Sequence, residues 1–169
     1  MTALPAGDDV CVIQRNPRTG CIPAGIEWML KSKGVEGIDY SDFQERFDLQ
    51  SQGREGNSFS SVSRAVSRAY PQLKFEDKHF PTGMEKLMFV ERLVSTNNSC
   101  LISIALAPHG GWHCVPVIKI DGGTVTVLWR MDKPIIQEQR HDFKRSDLET
   151  RHDNWSGGKE VLFFSDCNS

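Results

Sequence analysis

The sequence is short of the features that mark several large protein classes. It has no basic excess: 20 Lys and Arg stand against 22 Asp and Glu, a formal charge of −2. A dedicated binder of nucleic acid or of an anionic membrane needs a concentrated positive field, so both are disfavoured. No run of about 18 apolar residues occurs, and no membrane-spanning helix is expected. No apolar core follows a basic start, so no signal peptide is expected either. Five cysteines, at positions 11, 21, 100, 114 and 167, are too few and too irregularly spaced for a disulfide scaffold. Repeats and low-complexity tracts are also missing. Together these absences point to a cytoplasmic chain whose thiols are reduced.

What is present fits one globular domain spanning residues 1–169, with the first ten residues loose on the surface. Hydrophobic residues make up 38% and charged residues 25%, an ordinary soluble composition. A helix is predicted to start at Cys21, where Pro23 is tolerated in the first turn and Ile22, Ile26, Met29 and Leu30 form a stripe. Further helices are predicted from about Tyr40, over Phe59 to Tyr70 and over Gly83 to Ser95. Leu73 to Phe75 is a weak strand candidate between the last two.

After Ser95 the pattern changes to strands. Cys100 to Ala107 reads as a buried strand. His113 to Ile120 and Thr124 to Trp129 form a hairpin about Asp121-Gly122-Gly123. A polar connection, one or two helical turns over Ser146 to His152, and a strand over Val161 to Phe164 close the chain. Helices first and an antiparallel sheet second give an α+β order.

Four positions could carry chemistry. Cys21 follows a glycine turn and opens a helix, where the positive end of the dipole favours a thiolate. The bland alternative is a small buried residue at a helix start. His113 begins a strand after a flexible Pro108-to-Trp112 approach, and could face a thiol as general base. Gln14 or Asn16, seven and five residues before Cys21, could supply a side-chain amide to an oxyanion hole. Asp132, past the hairpin, could orient the imidazole. A metal site on Cys21, His109, His113 and Cys114 is disfavoured: no Cys-x2-Cys pair supports it, and alternate strand residues point to opposite faces.

In this order the motifs resemble the papain-like cysteine peptidases, and within them the bacteriocin-processing (double-glycine leader) peptidases. Cys21-Ile22-Pro23-Ala24 is similar to that family's Cys-Gly-Pro-Ala, with Ile22 for Gly. Gly111-Trp112-His113 and the apolar strand after it match the histidine motif, and Trp155-Ser156-Gly157 matches a step before the last strand. The likeness runs over about residues 12 to 164. It implies a papain-like fold with helices packed on an antiparallel sheet, and a Cys21–His113–Asp132 site with Gln14 as oxyanion donor. Trp112 and Gly111 would line the substrate, and no cofactor or metal would be needed.

Two departures stand out. Gln14 requires a one-residue insertion, and the family's Asp or Asn falls about sixteen residues after the histidine, at Trp129. Asp132, before Lys133-Pro134, resembles the family's Asp-Pro step if the hairpin is longer. The expected activity is hydrolysis of a peptide or isopeptide bond, on a leader-peptide or ubiquitin-like tail. The alternative is a catalytically weakened fold that binds a peptide or protein.

Overall fold

The computed structural model describes residues 2–3 and 10–165. Among the described residues there are six helices and seven strands: β1 (Thr2–Ala3), α1 (Cys21–Lys33), α2 (Phe43–Phe47), α3 (Phe59–Ala69), β2 (Phe75–His79) and α4 (Gly83–Ser95) come first. They are followed by β3 (Cys100–Ala105), β4 (Trp112–Asp121), β5 (Thr124–Leu128), α5 (Ile136–Gln139), β6 (Arg140–Lys144), α6 (Arg145–Asn154) and β7 (Glu160–Phe164). Thr2 and Ala3 pair with Ile120 and Lys119. The rest of the segment expected to be loose, up to residue 9, lies outside the described residues, as does Cys167.

The helix ends follow local chemistry. Ser58 and Ser61 make a reciprocal capping box at the start of α3, with bonds of 3.0 and 2.9 Å. Thr82 caps α4 by accepting from the Glu85 N–H at 3.1 Å. Gly34 ends α1 at φ +74°, a left-handed conformation, donating to the last carbonyls.

The strands form one antiparallel sheet in the order β2-β7-β3-β4-β5-β6, and β1 lies beside the far half of β4. Long β4 pairs with β3 through Trp112–Pro116 and with β5 through Val117–Asp121, with an irregularity between Val117 and Lys119. Side chains alternate between the two faces. Leu101, Cys114 and Leu162 meet α1 to α3, whereas Ile102, Val115 and Val161 meet α4 and α6. Every residue of β3 is therefore buried, which explains its unbroken apolar run.

Two expectations need correction. The strand expected at Leu73 to Phe75 runs instead from Phe75 to His79, and the polar connection after the hairpin contains α5 and the strand β6. Both strands end the sheet, and such edges carry charged residues that hide the alternating pattern.

Candidate active site

The site begins where the loop 13–20 delivers the chain into α1. Gly20 donates its N–H to Asn16 O at 3.0 Å, and a Cβ there would stand 2.7 Å from that oxygen. Buried Asp48 clamps the same loop, accepting from Thr19 Oγ1 at 2.7 Å, Asn57 Nδ2 at 2.9 Å and Asn16 Nδ2 at 3.3 Å. Gln44 braces the segment before it, accepting from Arg15 N at 2.9 Å and donating to Ile13 O at 2.9 Å. Cys21 is thus fixed as the first residue of α1.

Gly25, one turn on, lets α1 lie close on the sheet. A Cβ there would reach 2.8 Å from Leu101 Cδ1 and 3.5 Å from Cys114 Sγ. This close approach brings half-buried Cys21 onto the start of β4. The Cys114 thiol donates to the Cys21 carbonyl oxygen at 3.8 Å, and the Cys114 side chain does most to lower the Cys21 pKa to about 5. Burial works in the opposite direction. The His113 hydrogen bond and charge, with the Cys114 backbone N–H, add to the lowering.

Half-buried His113 is held from two sides. Its Nε2 lies 3.1 Å from the Trp129 carbonyl oxygen, which can only accept, so Nε2 carries the proton. The Trp129 ring also meets the imidazole edge-on, centroids 5.0 Å apart at 85°. Burial alone would push the imidazole down. The hydrogen bond and charge of Cys21, the Trp129 carbonyl and the charge of Asp132 outweigh it, and His113 rests above its ordinary value. A thiolate beside an imidazolium can attack a carbonyl and return a proton to the leaving group.

The structure thus brings Cys21 and His113 together but leaves Asp132 apart. Asp132 is exposed in the turn after β5 and has no hydrogen bond to the ring among the described residues. The ring's Nε2 is taken by the Trp129 carbonyl, sixteen residues after His113. Gln14 is half-buried, and its Nε2 donates to Asn16 O at 2.8 Å, leaving one amide hydrogen. Asn16 is bound into its own loop: Oδ1 accepts from the Arg18 and Thr19 N–H groups, and Nδ2 donates to Asp48. Trp112 packs edge-on against Phe59 of α3, at 5.8 Å and 74°. Gly111 is exposed, at φ +82°.

Sequence reasoning missed Cys114 and Trp129 as partners. Cys114 was expected to face away from His113 and take no part, yet both residues lower the Cys21 thiol, because the foot of α1 lands on the 113–114 step. The Trp129 contribution is a backbone atom, which no side-chain motif announces. Asp48 and Gln44 act on the loop from 29 or more residues away in sequence, and only their burial distinguishes them. Among the described residues, the cluster able to hold a metal ion is Asp77, His79 and Glu160, which excludes both Cys21 and His113.

No protein-family profile matches the sequence, and no curated protein matches it. Solved structures do. One is described as a C39-like peptidase from Bacillus anthracis, with a TM-score of 0.61 and 16% identity over 93% of this chain and 94% of that one. Another is the peptidase domain of Streptococcus ComA, a bi-functional ABC transporter of a quorum-sensing pathway. Its TM-score is 0.55 at 12% identity, over 91% of this chain and 96% of that one. The chain has the α+β fold of papain-like peptidases. Among the described residues, no helix is long and apolar enough to cross a membrane.

Proposed function

We propose that this chain is a thiol hydrolase of the cysteine-peptidase type, acting in the cytoplasm on a peptide or isopeptide bond. The observation that carries this reading is the mutual influence of Cys21 and His113, which lowers the thiol to about 5 and raises the imidazole above its usual range. Both shifts run toward the thiolate–imidazolium pair, the form that reacts.

In this reading Cys21 Sγ attacks the scissile carbonyl carbon. The tetrahedral oxyanion receives the Cys21 N–H, one of the unpaired donors of the first helical turn, and the remaining amide hydrogen of Gln14. His113 gives its proton to the leaving amine and then takes one from the water that releases the acyl-enzyme. With Nε2 committed to the Trp129 carbonyl, Nδ1 is the nitrogen free to move that proton. Asp132 adds only a distant charge. Trp112 and Gly111 flank the base and would meet the substrate chain. The two peptidase neighbours support a peptide or protein substrate. A leader-peptide or ubiquitin-like tail is the proposed class.

Cys21→Ala is expected to abolish hydrolysis of a fluorogenic peptide library while leaving the circular dichroism spectrum unchanged. Turnover that survives the substitution refutes the reading. A second reading, a binding module without turnover, is favoured by one observation: a neutral carbonyl orients the imidazole in place of a carboxylate. Saturable peptide binding by a wild-type protein that hydrolyses nothing selects it.

A further inference from the structure

A second thiol stands beside the proposed nucleophile and makes or breaks no bond in the proposed reaction. Cys114 is 1% exposed and follows His113 on β4. Its thiol donates to the Cys21 carbonyl oxygen at 3.8 Å, and its side chain is the largest influence lowering the Cys21 thiol. Both sulfurs ride on rigid elements, the first turn of α1 and a central strand, and Gly25 keeps the two in register. Neither is in a disulfide. The other described cysteines lie elsewhere: Cys100 is buried on β3, and exposed Cys11 approaches Pro134 O at 3.6 Å.

We propose that Cys21 and Cys114 are a peroxide-sensitive pair, in which Cys114 captures the oxidised Cys21 as a reversible disulfide before irreversible oxidation occurs. The chemistry follows from the unequal state of the two thiols. Cys21 is half-buried, so a small peroxide can reach it, and the thiolate is the form that reacts. Its sulfur attacks one peroxide oxygen, the O–O bond breaks, and the departing hydroxide takes the His113 proton to become water. Cys21 is then a sulfenic acid.

Cys114 remains a thiol until that moment, because burial first, and then the bond and charge of the Cys21 thiolate, hold its proton on. Conversion of Cys21 to a neutral sulfenic acid removes that charge. The Cys114 sulfur then attacks the Cys21 sulfur, the S–O bond breaks, and the Cys114 proton leaves with the oxygen as water. Two thiols and one hydrogen peroxide give one disulfide and two waters. Formation of the bond requires only that the Cys114 sulfur, already 3.8 Å from the Cys21 backbone, turn to the Cys21 sulfur. Its consequence, a hydrolase switched off by peroxide and restored by a thiol reductant, rests on the function proposed above.

The test treats the whole protein with hydrogen peroxide and maps its cysteines by peptide mass spectrometry. The expected wild-type product is a Cys21–Cys114 disulfide that dithiothreitol reverses. In Cys114→Ala, Cys21 should instead advance to the sulfinic acid, which dithiothreitol does not reverse. A wild-type Cys21 that reaches the sulfinic acid as fast as in Cys114→Ala overturns the pairing alone, as does a disulfide joining Cys21 to any other cysteine. Oxidation of Cys21 no faster than that of exposed Cys11 overturns the pairing and also removes the thiolate beneath the proposed function. The wild-type map stands by itself if the variant folds poorly.

Discussion

His113 sits between two acceptors of different character, the Cys21 sulfur and the Trp129 carbonyl oxygen. A carbonyl fixes the tautomer and aims the ring, but it carries no net charge to offset an imidazolium. Asp132 supplies charge from a distance and through solvent, where screening leaves little of it. Replacing Asp132 with Asn is therefore expected to lower turnover by less than about threefold, the scale of a weak exposed charge interaction. A loss beyond tenfold in steady-state kinetics would put the carboxylate at the ring. Cys21 and His113 were legible because a helix start and a strand start leave plain marks in sequence. The Trp129 partner was not legible, because the orienting atom belongs to the backbone.

Between elements, the two loops of the site are tied by one side chain. Gln139, fully buried at the end of α5, donates through Nε2 to Val12 O at 3.0 Å, Lys133 O at 2.8 Å and Met131 O at 3.3 Å. Its backbone oxygen accepts from the Trp129 N–H at 2.8 Å, one peptide group away from the carbonyl that holds His113. Gln139→Ala would strand buried carbonyls. It is expected to cost about 1–3 kcal/mol in urea unfolding, and an unchanged midpoint would count against this bracing role. The sequence offered nothing to mark Gln139, since a single glutamine in a polar connection looks like solvent-facing loop. The helices and the central strands were legible because their apolar residues repeat at helical or strand spacing. The edge strands β2 and β6 were not, since their outer rows are charged.

Over the whole molecule, pH acts on more than the thiol. Glu160 at the start of β7 is pushed up to about 7, first by burial and then by the hydrogen bond and charge of neighbouring Asp77. The unfolded chain ionises this carboxyl near 4.5 and the folded chain near 7. Its stabilising contribution is complete below 4.5, falls as pH rises, and is gone above 7. Glu160→Gln stays neutral throughout, so its melting temperature should exceed that of the wild type at pH 8. The gap should close by about pH 4.5, and thermal melts that run parallel across that range would contradict the assignment.

The seating of α1 on β4 gives the protein an inverted labelling behaviour. Most buried cysteines are shielded in the native state and become reactive on unfolding. Cys21 owes its ionised sulfur to partners on another element, so separating the helix from the sheet returns it to an ordinary, protonated thiol. At pH 6, iodoacetamide should modify folded Cys21 first among the cysteines and should modify the urea-unfolded chain slowly. Faster labelling of the unfolded chain would contradict this. Alkylation rate then becomes a clock for the opening of a single interface, readable without any substrate.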